Sequence, residues 1–217
     1  MTDIRYRPHD LLKLRSCPVA VDAPGWAHAA FARAAFAVVR RAAAAPGTVA
    51  VGLRGTTRAE RYGTYIDERD VQAWVPPERL VLAPPPPGRD LLAPFVMLRS
   101  LRDNPCLSSF EWGPTGSTGF ELATGIPAIT PSSDLDLLIR TPAALTHERA
   151  EALHFELQAC AARAGVRTDV QLETPAGGVA LAEWVMRKSL IMVRSFDGPR
   201  LIADPWFANP TRASGDD

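Results

Sequence analysis

The sequence lacks an excess of charge of either sign. Its 217 residues include 24 Lys and Arg against 24 Asp and Glu, so the formal net charge is zero. A protein that binds nucleic acid polymers gains much of its affinity by neutralising phosphates with basic side chains. The balanced charge therefore argues against polymeric DNA or RNA as a substrate.

Cysteine is scarce, and Cys17, Cys106 and Cys160 are far apart in the chain. They form no CxxC pair and no Cys/His metal spacing. Reduced thiols of this kind are typical of the cytoplasm. The amino terminus lacks the apolar segment of a signal peptide, and no apolar run is long enough to span a bilayer. We therefore expect a cytoplasmic protein that does not enter the membrane.

Four consecutive prolines, residues 84–87, divide the chain. Such a run forms a stiff, extended spacer and fits neither a helix interior nor a central strand. The chain is long enough for two small domains, each with its own core. We expect an N-terminal α+β domain at residues 1–83 and a C-terminal domain at residues 89–217.

Periodicity predicts a mixture of strands and helices, that is, the α/β (α+β) class with a mixed sheet in the second domain. The Ala-rich residues 25–45 predict one long helix, ended by Pro46 and Gly47. Further predicted helices are residues 90–102, 146–164 and 177–187. Predicted strands include residues 48–55, 133–140 and 166–174, with a closing hairpin around Asp197 and Gly198.

The run SDLDLLIR alternates in polarity. As a strand it places Leu135, Leu137 and Ile139 on one face and both Asp134 and Asp136 on the other. Two carboxylates held side by side repel each other, and a cation between them relieves the repulsion. Oxygen ligands in a small cluster suit Mg²⁺, which is commonly bound together with substrate phosphates. Taken alone, an Asp-x-Asp pair also fits a solvated strand face.

The segment WGPTGS precedes this strand and predicts a tight turn. Gly113 and Gly116 leave the backbone unobstructed, and Ser117 is expected to cap a helix formed by STGFELATG. Free N–H groups at the positive end of a helix bind phosphate. A Gly-Ser turn followed by Asp-x-Asp thus supplies both parts of a metal-assisted polyphosphate site.

A second alternating run, VRTDVQLET, places Asp169 on its polar face. If this strand lies beside the Asp-x-Asp strand, Asp169 becomes a third carboxylate on the same patch. The alternative is an Asp that faces solvent.

Arg54, Arg58 and Arg61 lie within eight residues of each other. The glycines at positions 52 and 55 would let the backbone approach a ligand, and guanidinium groups match phosphate oxygens. Phosphate binding and a solvated basic edge both remain open for this cluster.

His9 stands beside Asp10, which raises the possibility of a catalytic pair. Adjacent residues on an extended segment face opposite ways, so we expect a surface histidine.

The Gly-Ser turn, the helix it opens and the Asp-x-Asp strand together resemble the nucleotidyltransferase superfamily of DNA polymerase β type. That family takes its third acid from a following strand, a position that Asp169 matches here. This sequence departs from the pattern between Ser117 and Asp134, where the insert GIPAITP lengthens the gap.

Longer segments narrow the resemblance further. They resemble the phosphoribosyl-dephospho-CoA transferases of bacterial malonate decarboxylase, which make the holo-acyl-carrier protein. The segments are PHDLLKL, VAVGLRGTTRAER, VPPERL, WGPTGSTGFELATG, SDLDLL, DVQLETPAGGVALAEW and GPRLIADPW.

This resemblance implies transfer of a phosphoribosyl-dephospho-CoA group from triphosphoribosyl-dephospho-CoA to a serine of the decarboxylase acyl carrier protein subunit, with release of pyrophosphate. Asp134 and Asp136 would hold Mg²⁺, and Asp169 would complete the ligand set or accept the serine proton. Gly116 and Ser117 would hold the pyrophosphate.

Rival hypotheses are another Mg²⁺-dependent nucleotidyltransferase, a metal-dependent glycosyltransferase, and a non-catalytic scaffold that binds a carrier protein or nucleotide. The glycosyltransferase leaves the Gly-Ser turn unexplained, and a scaffold has no need of three acids.

Overall fold

The computed structural model describes residues 6–57 and 59–207, which fold into two β-sheets with several helices. This confirms the predicted α+β class. Each sheet contributes to its own buried apolar cluster. Within the described ranges, no helix combines the length and apolar character needed to cross a membrane.

The N-terminal sheet has the strand order β4-β3-β2-β1-β5, and all neighbouring strands are antiparallel. Helix α1 (Gly25–Arg33) lies between β1 and β2 in the sequence. The strands are β1 (Leu11–Leu14), β2 (Phe36–Val39), β3 (Thr48–Arg54), β4 (Arg61–Asp67) and β5 (Val71–Val75).

The single helix predicted at residues 25–45 is wrong beyond its first half. Helix α1 ends at Arg33, and Phe36–Val39 forms β2 between β1 and β3. Aromatic and β-branched side chains pack well on a pleated surface, so the segment FAVV favours a strand once neighbours are available. Sheet pairing therefore outweighs the helix propensity of the surrounding alanines.

The C-terminal sheet is mixed, with the order β11-β10-β9-β8-β7-β6. Strands β7 and β8 are parallel, and the other neighbours are antiparallel. Its strands are β6 (Glu111–Pro114), β7 (Leu135–Arg140), β8 (Thr168–Thr174), β9 (Gly177–Ala180), β10 (Ile191–Ser195) and β11 (Gly198–Ile202). The helices of this half are α2 (Ala93–Leu101), α3 (Gly116–Thr124), α4 (His147–Ala164) and α5 (Leu181–Val185).

Helix α4 connects the two parallel strands, and its predicted ends are confirmed. Thr146 caps it by accepting a hydrogen bond from Arg149 N, and Gly165 ends it with a φ of 67°. The predicted helix at 177–187 is wrong in its first part, because Gly177–Ala180 pairs with β8 and β10 as β9.

The apolar face predicted for β7 is confirmed. Leu135, Leu137 and Ile139 are fully buried in one cluster with residues of α2 and α4. The opposite face of the same strand is therefore the one that meets the N-terminal half of the chain.

Ion pairs join the two halves at this face. Arg140, which is buried, donates from Nη2 to Asp10 Oδ1 over 3.3 Å and from Nε to Glu78 Oε1 over 2.6 Å. Arg41 donates to both carboxylate oxygens of Glu173 at 2.5 Å each. Charges buried together in this way must stay paired, since removing one partner leaves the other uncompensated.

His9 lies at the same contact, so the expectation of a surface histidine is wrong. Its Nε2 is 2.8 Å from Gln171 Nε2, and its φ of 74° turns the chain just before Asp10. Burial lowers the pKa of His9 to about 4; the Glu173 carboxylate opposes this shift and the Arg41 guanidinium supports it. The imidazole is therefore neutral at neutral pH.

Replacing Arg140 with Ala should lower the free energy of unfolding by about 3–5 kcal/mol, because the buried Asp10 carboxylate loses its ion-pair partner and the partly buried Glu78 keeps only Arg7. Urea unfolding would measure it. The matched control is Arg69→Ala, which breaks a pair with Asp67 on the open surface and should hardly change stability. Equal losses in the two variants would contradict this account of the contact.

His9 should make stability depend on pH. Its folded pKa lies below the value of about 6.5 for an unfolded histidine, so the unfolded chain binds the proton first. Stability is then lost as pH falls from ~6.5 towards ~4, by up to about 1.4 kcal/mol per pH unit. His9→Asn, which tolerates a positive φ, should show a shallower slope in unfolding experiments across that range. Identical slopes would refute the assignment.

Candidate active site

The parallel pairing of β7 and β8 brings two of the predicted acids together. Asp136 and Asp169 are direct partners in the register, so their side chains leave the same face of the sheet. Asp136 is partly buried and Asp169 is exposed. This is the face opposite the buried Leu135 and Leu137, as the alternation predicted.

Asp134 lies one residue before β7 and does not line the cleft described below. Its Oδ2 is 3.8 Å from Nη2 of Arg167, whose side chain is 83% exposed. The structure therefore brings Asp136 and Asp169 together and leaves Asp134 at the edge of the pair.

The Gly-Ser turn lies directly against Asp136. Thr115 N donates to Asp136 O over 2.9 Å, and helix α3 starts at the next residue. Gly116 has a φ of 57°, and a Cβ at this position would lie 2.8 Å from Asp136 Cγ. Only glycine meets both conditions without strain, so the residue sets how closely the helix start approaches the carboxylate.

Two details of the predicted turn differ. Thr115 is the N-cap residue of α3, so Ser117 lies within the first turn and is not the cap. Gly113 makes room for protein rather than for a ligand: a Cβ there would lie 2.7 Å from Glu78 N, in the short 3-10 helix Pro77–Leu80.

The insert at residues 125–131 is held by a buried carboxylate. Glu121 in α3 accepts hydrogen bonds from Ala128 N at 2.7 Å and Ile129 N at 2.8 Å, and it pairs with Arg89. Burial disfavours the charged form of Glu121, but the hydrogen bonds from Arg89 and the two amides outweigh it and lower its pKa. The longer gap before the Asp-x-Asp strand is thus a fixed loop on α3.

A cleft of about 1060 Å³ is lined by residues of both halves. From the C-terminal half it includes the acids and the turn, and from the N-terminal half it includes two of the predicted arginines. The predicted site residues in its lining are Gly116, Ser117, Asp136, Asp169, Arg54 and Arg61.

Arg54 and Arg61 are direct partners in the antiparallel register of β3 and β4. Like charges placed opposite each other on a sheet are unfavourable unless an anion is bound or solvent screens them. Arg58, the third member of the predicted cluster, lies outside the described residues. The two described arginines thus place positive charge in the cleft that contains the carboxylates.

His9 and Arg40 are among the cleft residues that sequence reasoning did not assign to the site. The glycines at positions 52 and 55 were expected to let the backbone approach a ligand, whereas the space at Gly52 is taken by the Arg40 side chain and that at Gly55 by Glu60. A pair of glycines inside strands was the available signal for Arg40, since such positions often mark a close approach.

The donor set suits a metal that shares its ligands with a substrate. Within residues 6–57 and 59–207, no group of three or more His, Cys, Asp or Glu forms a metal site. Two adjacent carboxylates remain, Asp136 and Asp169, and Mg²⁺ is commonly bound by one or two carboxylates plus phosphates and water. The residues present therefore fit Mg²⁺ in a complex with a phosphate substrate.

Comparison with known proteins covers almost all of the described chain. The family described as "Phosphoribosyl-dephospho-CoA transferase MdcG N-terminal domain" matches residues 7–77, and the corresponding "C-terminal domain" matches residues 90–205. No solved structure gives a significant match.

Several curated proteins named phosphoribosyl-dephospho-CoA transferase are similar over more than nine tenths of their length. One from Pseudomonas fluorescens is 44% identical over 201 residues, or 92% of this chain and 93% of that protein. One from Azotobacter vinelandii is 37% identical over 210 residues, or 92% of this chain and 94% of that protein. The chain therefore belongs to the phosphoribosyl-dephospho-CoA transferase family.

Proposed function

We propose that this transferase moves the phosphoribosyl-dephospho-CoA group from triphosphoribosyl-dephospho-CoA to a serine of the acyl carrier protein subunit of malonate decarboxylase, and releases pyrophosphate. The observation that carries the proposal is one cleft in which paired carboxylates and a glycine turn at a helix start lie together with arginines. These are the groups that transfer of a charged phosphoryl centre requires.

The reaction is a substitution at the α-phosphorus of the triphosphate. The serine Oγ forms a new bond to that phosphorus, and the bond from it to the bridging oxygen of the β-phosphate breaks. Pyrophosphate takes the bonding electrons and leaves, and the serine proton passes to Asp169 or to water. The product is a phosphodiester between the serine and the prosthetic group.

Asp136 and Asp169 would hold Mg²⁺, with Asp134 joining them if it exchanges Arg167 for the metal. When bound, Mg²⁺ would neutralise the charge that develops on the attacked phosphate and the leaving group. The carboxylates would also fix where the phosphate binds, because the turn at Gly116 holds Asp136 in place.

The start of α3 would bind the departing pyrophosphate. The free N–H groups of its first turn, at Gly116 and Ser117, carry the positive end of the helix dipole. Arg54 and Arg61, with Arg58 outside the described residues, would add charge-assisted hydrogen bonds. The unpaired cysteines fit a reducing cytoplasm as the site of action.

Substitution of the acids distinguishes a catalytic role of the cleft from a role in binding alone. Asp136→Asn and Asp169→Asn keep the side-chain shape but remove the charge that a metal needs, so transfer to the carrier protein should fall about a hundredfold or more. Mass spectrometry of the carrier subunit, after incubation with precursor and Mg²⁺, measures the transfer. A chelator should abolish transfer by the unaltered protein.

Asp103→Asn, an exposed acid of the same half, is the control and should keep full activity. Asp134→Asn reports whether that acid joins the site. Full activity of both Asp136→Asn and Asp169→Asn would overturn the two-acid mechanism, and no transfer by the unaltered protein would overturn the proposed function.

Gly116 and Gly125 form a matched pair, because both have a positive φ but only Gly116 has a close neighbour. Gly125→Ala should cost about 1–2 kcal/mol of stability from the left-handed backbone alone, and it should leave transfer intact. Gly116→Ala should lose more stability and also lose transfer, because the new Cβ displaces Asp136. Urea unfolding and the transfer assay test both; equal behaviour would show that the contact at Asp136 does not matter.

A further inference from the structure

Arg40 lies across two glycines that face each other in the N-terminal sheet. Gly52 of β3 and Gly63 of β4 are direct partners in the register. A Cβ at Gly52 would lie 3.2 Å from Arg40 Cδ, and one at Gly63 would lie 2.8 Å from Arg40 Cζ. The aliphatic stem therefore crosses Gly52 and the guanidinium rests over Gly63.

The two glycines weaken the sheet, so a role for the Arg40 guanidinium would explain why they are there. Glycine inside a strand loses backbone entropy on folding and packs no side chain, so two facing glycines lower the stability of the pair. The absence of side chains at the two glycines leaves space in which the long Arg40 side chain lies against the sheet. A guanidinium held in this way loses less freedom when it binds an anion.

No carboxylate explains the position of Arg40. Within residues 6–57 and 59–207 its side chain has no ion pair or hydrogen bond, and it lines the cleft. The next residue, Arg41, is different, since it is bound to both oxygens of Glu173. Of these two adjacent arginines, one ties the halves together and the other has no acidic partner.

Arg54 and Arg61 lie two residues along the same face. Successive residues of a strand face opposite sides of a sheet. The pairs Gly52–Gly63 and Arg54–Arg61 are two residues apart, so all four positions lie on the same face, the one that lines the cleft. Arg40, Arg54 and Arg61 thus line one cleft from the same side of the sheet. Such a surface attracts a polyanion with several adjacent charges.

We propose that Arg40, seated on Gly52 and Gly63, is a binding residue for the terminal phosphates of the triphosphate substrate. The inference rests on the proposed function. It adds Arg40 as a residue that binds the phosphates, and Gly52 and Gly63 as the residues that position it. Arg40 binds the phosphates in the ground state and is not one of the reacting groups.

The site is tested with inorganic triphosphate as the probe. Calorimetry in the presence of Mg²⁺ should show Kd raised ~10- to 100-fold by Arg40→Ala, and by less in Arg40→Lys, which keeps a charge without the planar fork. Gly63→Ala should also raise Kd, because the new Cβ displaces the guanidinium. Arg15→Ala, an exposed arginine outside the cleft, should leave Kd unchanged.

A double variant separates binding from structure. In an Arg40→Ala background, Gly63→Ala should add no further loss of affinity, and the alanine should raise the melting temperature because it strengthens the strand. A full additional loss in that background would show that Gly63 acts through the fold, and the proposal would fail. An unchanged Kd in folded Arg40→Ala would also reject it.

The transfer assay distinguishes failure of this inference from failure of the proposed function. If the group is transferred, Arg40→Ala should raise KM for the precursor about 10- to 100-fold with little change in kcat. Transfer with an unchanged KM would reject the role of Arg40 and leave the function standing. Triphosphate binding that depends on Arg40, without any transfer, would support the site and reject the function.

Discussion

The buried guanidinium of Arg140 is the constraint on which the cleft depends. It sits between Asp10 and Glu78 from the N-terminal half, while it belongs to the strand that carries Asp136. A charge removed from water has to find its partners at hydrogen-bonding distance, so the halves cannot separate freely. The same contact therefore fixes how far the arginines lie from the carboxylates.

Strands β7 and β8 of the C-terminal sheet were predictable because their sequences alternate and each buries one face, whereas the short β9 carries no such alternation. In β7 and β8 the alternate apolar positions pack into the core, and this places Asp136 and Asp169 on the other face. Sequence did not show that the two strands are parallel neighbours. That arrangement depends on how the intervening helix α4 packs.

The errors arose where tertiary contacts overrule local preference. Residues 36–39 lie in an Ala-rich run, yet they form a strand because they pair with β1 and β3 on either side. His9 has the sequence context of a surface residue, but β8, more than a hundred residues later in the chain, packs against it. Arg40 was equally hidden, because its path depends on glycines of two other strands. The division at the proline run remains a prediction.

The kind of contact between the halves determines how the cleft can deform. Two apolar surfaces slide past each other at low cost, since dispersion attraction has no preferred direction. The forked pair of Arg41 with Glu173 is directional and loses both hydrogen bonds when it is sheared. The walls of the cleft therefore resist lateral slip, and a substrate that spans them meets a spacing that is already set before it arrives.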